Sequence, residues 1–264
     1  MTADPQPTVR WRGRSLEFLA AAGAGLGMAA VHLAPLRDAV ARWGGGWTGA
    51  FLGNDPTKPV LGDGVDLWGN LWNMDYTARL LTGEVGRIDP DIFAPVGQDL
   101  ARTTGLALLD AVLAFPLVAG LGAVGGYNLY LLLLLVANTI ALHLLFRVLR
   151  APPPLALALA VAVMLHPFVA IEILQGRPNQ VHLLFPALFL ALLYRMTRDG
   201  ARTRWLGPAA GLALAASCLI YPFSAMALGL FAGVVAVVHL LLNPGRRLQF
   251  AGGFALLTAV ACAA

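Results

Sequence analysis

The sequence predicts an all-α membrane protein: a multi-span helical bundle with a large first extracytoplasmic loop that carries interfacial helices. Of the 264 residues, 58% are hydrophobic and only 12% are charged, whereas a soluble domain carries about 25% charged residues because its surface faces water. Apolar runs long enough to cross a bilayer recur along the chain, and arginines gather at alternate ends of these runs. This composition excludes a disordered chain. Because the basic residues form no single stripe, nucleic acid is not a predicted partner.

The chain begins with a polar segment, residues 1–14, which we interpret as a cytoplasmic tail ending in three arginines. The first apolar run, Leu16–Leu36, has 21 residues and would be about 31 Å long as a helix, enough to cross a membrane. A signal peptide has the same order of features but an apolar region of only about 7–15 residues. The run therefore predicts an uncleaved span, and cleavage near Ala30 is the alternative.

A long polar region follows and forms the predicted first outer loop, residues 37–126, which holds most of the acidic residues. Its central stretch, 62–83, reads GDGVDLWGNLWNMDYTARLLTG and interleaves apolar with polar residues. This pattern predicts an irregular amphipathic helix, and its aromatic residues are typical of a membrane–water interface. The stretch 89–99 carries two prolines and a glycine, so it predicts a loop.

The apolar run Leu106–Val124 contains Asp110 and Pro116, and only two residues separate it from the next run. If it lies along the outer interface without crossing, the cytoplasmic side holds 11 basic and three acidic residues, and the outer side seven basic and 11 acidic. If it crosses, the last three arginine clusters move outside, which contradicts the preference of basic residues for the cytoplasm. The non-crossing arrangement is therefore the prediction.

Seven spans result, with the N-terminus in the cytoplasm and residues 15–264 forming one multi-span module. The last span stops after 15 residues, which predicts that the chain is a fragment truncated in that span. Two cysteines, Cys218 and Cys262, are expected to be small core residues. The spans after the first are Tyr127–Phe146, Leu155–Ile171, Val181–Tyr194 (short for a span), Trp205–Tyr221, Phe223–Leu242 and Phe250–Ala264.

Asp63 and Asp66 are the candidate catalytic residues. Three residues apart, their carboxylates share one face of a helix. Partial burial and like charge raise a carboxylate pKa toward the working pH, as a general base requires. The alternative is structural: Asp63 caps the following helix, with Asp66 at its third position.

Asp89 and Asp91 form a D-x-D pair in the predicted loop. Alternating carboxylates can chelate a hard divalent cation, Mg²⁺ or Mn²⁺, that also holds a phosphate. The alternative is that Asp89-Pro90 simply begins a turn.

The second outer loop concentrates polar side chains beside apolar helices, where ionisable groups are costly unless they are paired or used. The guanidinium of Arg177 suits two phosphate oxygens, and a salt bridge to Glu172 is the structural alternative. His143 and His166 are expected to be core histidines, and Asn138 and Thr139 to bond between helices. The candidate substrate-binding residues of this loop are Glu172, Gln175, Arg177, Asn179, Gln180 and His182.

This layout resembles the C-type (GT-C) glycosyltransferases, integral membrane enzymes that use polyprenyl-phosphate-linked sugars as donors. The resemblance covers about residues 15–250 and the shared N-terminal module of that superfamily, and it rests on arrangement more than on any one motif. The stretches that carry it are GDGVDLWGNLWNMDYTARLLTG, DPDIFAPVGQDL, GGYNLYLLLLL and EILQGRPNQ.

The resemblance implies a bacterial cytoplasmic-membrane enzyme that moves a sugar to an extracytoplasmic glycan, lipid or protein acceptor. It implies that Asp63 or Asp66 is the catalytic base or orients the acceptor, and that Glu172 and Arg177 serve the donor phosphate or a metal. Two other classes stay open: a transporter or lipid flippase without chemistry, which predicts polar residues facing each other at the midplane, and a non-catalytic assembly subunit.

Overall fold

The computed structural model describes residues 11–33, 66–90, 97–99, 107–198 and 202–263. These parts are almost entirely helical, apart from two-residue strands β1 (Ile88–Asp89) and β2 (Gln98–Asp99), which pair antiparallel. The helices are α1 (Trp11–Leu33), α2 (Leu67–Leu81), α3 (Leu108–Val148), α4 (Pro153–Met164), α5 (Pro167–Leu174), α6 (Leu184–Arg198), α7 (Thr203–Ile220), α8 (Pro222–Leu242) and α9 (Arg247–Ala263), with a 3-10 turn at Pro244–Arg246.

Helix α3 is a hairpin. Its backbone leaves helical geometry at Gly122, where φ is 74° and ψ is 173°, a conformation that glycine adopts at little cost. Residues 20 apart in a straight helix are about 30 Å apart, yet the Tyr130 hydroxyl donates a hydrogen bond to the Asp110 carboxylate. We therefore divide α3 into two antiparallel arms, α3a (108–121) and α3b (123–148). Arm α3a is about 21 Å long, too short to cross a hydrocarbon core of about 30 Å.

Helix α1 runs antiparallel to α3b. Near its start, Glu17 accepts a hydrogen bond from Arg147 Nε at 2.9 Å, and in its middle Gly25 packs directly on the backbone of Val136. The beginning of α1 therefore lies at the same end of the bundle as Arg147, which agrees with the prediction that the N-terminal arginines share a side with Arg147.

The arginine-rich ends of α6, α7 and α9 also lie close together. The carbonyl of Arg198, the last residue of α6, accepts a hydrogen bond from Arg246 at 3.0 Å. Thr203, at the start of α7, donates to the carbonyl of Gln249 near the start of α9. Helices α7 and α9 are parallel and in close contact, since Gly207 packs on Gly253 and Gly211 on Leu257. Small residues at these positions allow the close approach typical of helix pairs in membranes.

Four described helices, α1, α3, α7 and α8, are long and apolar enough to cross a membrane. Helices α4 and α5 together make a fifth candidate span, bent by 45° between them. The remaining two predicted spans correspond to α6 and α9, which have 15 and 17 residues. At 1.5 Å per residue they are about 22 and 25 Å long, shorter than a full hydrocarbon core.

Several side chains expected in the core lie elsewhere. Cys218 and Cys262 are exposed on the bundle, and His166 is exposed and accepts a hydrogen bond from the amide of Phe168 at the start of α5. Thr139 bonds to Leu135 of its own helix rather than to a neighbour. An apolar run does not show which face points inward when the outside is also apolar, so burial could not be deduced from these runs.

The buried apolar residues form two clusters. One surrounds the α3 hairpin and includes residues from α1, α2, α4, α5 and α6. The other joins α6, α7, α8 and α9. The first cluster includes residues of α2 and Val181 from the segment between α5 and α6, residues 175–183, and this packing positions the candidate site.

Candidate functional site

An ionic cluster joins the start of α2 to the segment between α5 and α6, which we call the 175–183 loop. Arg177 donates from Nε to Oδ2 of Asp66 and, more weakly, from Nη1 to Oε2 of Glu172 at 3.4 Å. Asp66, which precedes α3 in the chain, therefore meets Glu172 and Arg177, which follow α3, at one guanidinium.

Asp66 is available to Arg177 because it does not cap its own helix. Helix α2 begins at Leu67, so Asp66 occupies the N-cap position, but its side chain makes no capping hydrogen bond. The structural alternative placed Asp66 at the third helical position, and the observed helix begins too late for that. Asp63 lies outside the described residues, so its role stays a prediction.

A close backbone contact fixes α2 against the loop. The side-chain amide of Asn70 donates to the carbonyl of Gly176 at 2.7 Å. Gly176 has a φ of 74°, and a Cβ at this position would collide with the backbone of Leu67. Glycine is therefore required here both for its left-handed conformation and for the contact that brings Asp66 to Arg177.

The other end of the loop is held by Asn138 of α3b. Its amide donates to the carbonyl of Val181 at 2.7 Å, and its oxygen accepts from the amides of Leu183 and Leu184, each at 2.9 Å. Asn138 precedes Val148 by ten residues, so this end of the loop lies about 15 Å along α3b from the arginine-rich end.

The two carboxylates of the cluster differ in environment. The side chain of Asp66 is 47% exposed and that of Arg177 32%, whereas Glu172 is only 9% exposed. The hydrogen bond to Asp66 raises the pKa of Arg177 above its ordinary value against the opposing effect of partial burial, and the charge of Asp66 and the contact with Glu172 raise it further. The guanidinium therefore stays charged at any physiological pH.

The remaining predicted residues of the loop have different surroundings. Gln175 is the C-cap residue of α5. The backbone amide of Gln180 donates to the carbonyl of Arg177 at 3.1 Å, which closes a turn that begins at Arg177. The side-chain oxygen of Asn179 is buried without a hydrogen-bond partner among the described residues. His182 is buried and its ring stacks on Phe185. Contact of these four side chains with a substrate stays a prediction.

A second polar cluster was missed by the sequence analysis. Asp110 of α3a is fully buried, accepts the hydrogen bond from Tyr130 and lies 3.8 Å from His182 Nε2. Within the described part of the chain, Asp110 Oδ2, His182 Nδ1 and the hydroxyl of the neighbouring Tyr127 have no hydrogen-bond partner. A single aspartate inside an apolar run was the available signal, because buried carboxylates at such positions are rare and are usually functional.

A cleft of about 570 Å³ lies along the second half of α2. Trp72 and Tyr76 form its aromatic wall, with ring centroids 5.4 Å apart, and Arg79 and Asp89 contribute polar groups. Trp72 follows Asp66 by six residues, so the cleft begins about 9 Å along the helix from the ionic cluster.

The predicted metal pair is only half described. Asp89 is buried in β1, and Asp91 lies outside the described residues, so its part in a metal site stays a prediction. Elsewhere in the described ranges, no three His, Cys, Asp or Glu side chains come close enough to hold a metal ion. Between Asp66 and Glu172 the guanidinium of Arg177 already occupies the place of a cation, so these two carboxylates do not fit a metal.

No protein-family model, curated protein or solved structure matches this chain.

Proposed function

We propose that this chain is a membrane glycosyltransferase of the GT-C type, which transfers a sugar from a polyprenyl-phosphate donor to an extracytoplasmic acceptor. The observation that carries the proposal is the meeting of Asp66, Arg177 and Glu172 at one guanidinium beside membrane-spanning helices. A fixed arginine can bind a phosphate through two hydrogen bonds, and an adjacent exposed carboxylate can accept a proton.

In the proposed reaction the acceptor hydroxyl attacks the anomeric carbon of the donor sugar. Its proton passes to a carboxylate, for which Asp66 and Asp63 are the candidates, while a bond forms between the acceptor oxygen and the anomeric carbon. The bond from that carbon to the phosphate oxygen breaks, and the polyprenyl phosphate leaves with the electron pair. Arg177, held in place by Glu172, stabilises the charge that develops on the leaving phosphate.

We place the N-terminus in the cytoplasm of a bacterial cell and residues 37–126 in a large outer loop. In this arrangement α2 and α3a lie at the outer interface, and the arginine-rich helix ends lie in the cytoplasm. The cleft lined by Trp72 and Arg79 then faces outward beside the ionic cluster, where it offers room for an acceptor.

The proposal is tested with the purified chain in nanodiscs and a panel of radiolabelled polyprenyl-phosphate sugars. We expect consumption of at least one donor in the presence of a cell-envelope extract that supplies acceptors. Asp63→Asn and Asp66→Asn are each compared with wild type, and loss of the base costs about 10²-fold or more in rate. Wild-type rates in both variants, or no consumption of any donor by the folded chain, would contradict the proposal.

A transporter without chemistry is the second candidate, and the buried Asp110 cluster favours it. Asp110, Tyr130 and His182 face each other inside the bundle, and Asn138 holds the adjacent loop end by a hydrogen bond to the carbonyl of Val181. Asp110→Asn distinguishes the two candidate functions. It removes the charge of the carboxylate but keeps an oxygen that accepts the hydrogen bond from the Tyr130 hydroxyl. The enzyme account predicts unchanged sugar transfer in this variant, whereas a transporter that depends on this carboxylate loses its activity.

A further inference from the structure

Arg177 has two carboxylate partners that an arriving anion would meet differently. Glu172 is buried, and it contacts Arg177 from the same short segment of chain, five residues before it. Asp66 comes from another part of the chain, and almost half of its side chain is exposed. An anion that approaches from solvent or from the lipid interface therefore reaches Asp66 before it reaches Glu172.

Asp66 is the N-cap residue of α2, but its side chain makes no capping hydrogen bond. A capping residue has extended backbone angles, whereas the backbone of Asp66 is helical, with φ of −90° and ψ of −7°. The carboxylate lies on Arg177 instead. Because almost half of the side chain is already exposed, rotation away from Arg177 carries the carboxylate into solvent without movement of the backbone.

We infer that Asp66 occupies the phosphate position on Arg177 in the resting protein and that the phosphate group of a lipid substrate displaces it. This inference rests on the proposed function and specifies its order of events. Once the phosphate binds Arg177, the Asp66 carboxylate loses its ion pair and both of its oxygens become accessible to the acceptor hydroxyl. The base is therefore released only when the donor is present.

The test measures binding of farnesyl phosphate to the full chain in phosphatidylcholine nanodiscs, with inorganic phosphate as the soluble comparison. Suppose that the Asp66 carboxylate is away from Arg177 in about one molecule in ten. Removal of the Asp66 charge then makes Arg177 available in every molecule and tightens binding about tenfold. We therefore expect a lower Kd in Asp66→Asn and in Asp66→Ala. A structural ion pair predicts the opposite, since loss of Asp66 would then misplace Arg177 and weaken binding.

Two further variants control the experiment. Asp75→Asn removes the same charge from α2 without affecting Arg177 and should leave the Kd unchanged, which excludes a general electrostatic effect. Arg177→Gln should abolish binding. The thermal stability of each variant is measured in parallel, and having two substitutions at Asp66 ensures that at least one folded variant can be compared.

The outcomes separate the two claims. Binding that depends on Arg177 but is weaker or unchanged in the Asp66 variants overturns the exchange and leaves the phosphate site intact. If Arg177→Gln binds farnesyl phosphate as tightly as wild type, or if no variant binds it, both the exchange and the phosphate site of the proposed function are wrong. If inorganic phosphate binds as tightly as farnesyl phosphate, the inference that the phosphate group belongs to a lipid is wrong.

Discussion

Asp66 and Arg177 are 111 residues apart in sequence, and their side chains form a hydrogen-bonded ion pair. The pair connects α2 to the 175–183 loop, which follows the bent α4–α5 segment. It depends on a glycine at position 176 and an asparagine at position 138, and neither of these residues is charged.

Gly176→Ala should destabilise the protein. The added Cβ would meet the backbone of Leu67, and alanine is disfavoured at a φ of 74°. Overpacking of this kind costs about 1–3 kcal/mol, measured as a lower free energy of unfolding in detergent. The matched control is Gly69→Ala on α2, where a Cβ meets nothing within 4 Å and stability should rise or stay level. Equal effects at both positions would contradict the close contact.

Asn138→Leu should loosen the 175–183 loop. The substitution leaves the carbonyl of Val181 and the amides of Leu183 and Leu184 without their partner. Each buried polar group left unsatisfied costs about 1–3 kcal/mol, so we expect a loss of about 3 kcal/mol or more and faster hydrogen exchange at these amides. Ser217→Ala is the control, because the Ser217 hydroxyl donates to the carbonyl of Ala213 in its own helix. Unchanged exchange in Asn138→Leu would show that Asn138 does not hold the loop.

The arginine asymmetry predicts which residues are reached from outside the cell. Single cysteines are placed near Arg150, near Arg202 and near Asp91 in a chain whose exposed Cys218 and Cys262 are replaced by serine. An impermeant thiol reagent should label the position near Asp91 in intact cells and the other two only after permeabilisation. Labelling near Arg202 but not near Asp91 would reverse the orientation.

The sequence predicted the helical membrane class and the residues of the ionic cluster, because composition, run length and isolated charges in apolar surroundings are local signals. It also predicted that Leu106–Val124 does not cross the membrane; the structure shows that the chain reverses at Gly122, and whether the run crosses stays a prediction. The pairing of Asp66 with Arg177 could not be predicted, since it depends on how α2 docks on the loop. Gly176 and Asn70 determine that docking, and both resemble ordinary loop and helix residues in the sequence.

Other features were missed for a different reason. Asp110 was used only to decide whether its run crosses, and its meeting with Tyr130 and His182 depends on the α3 hairpin. His143 is buried as predicted, whereas the exposure of Cys218, Cys262 and His166 was not predictable, because both faces of a membrane helix are apolar. Tertiary contacts, rather than residue type, decide these positions.

The most direct test of the account is sugar transfer by Arg177→Lys, Arg177→Gln, Glu172→Gln and the double variant Glu172→Gln with Arg177→Gln, together with the thermal stability of each in nanodiscs. Lysine keeps the charge but loses the planar pair of donors, so we expect a markedly higher donor KM in Arg177→Lys. In Arg177→Gln we expect loss of about 10²-fold or more in the transfer rate, as for the removal of one charge-stabilising donor. Arg87→Lys, at an exposed salt bridge to Asp99, should match wild type. If stability falls in the single variants, the double variant restores it and the donor KM never changes, then Arg177 is a structural residue and the account is wrong.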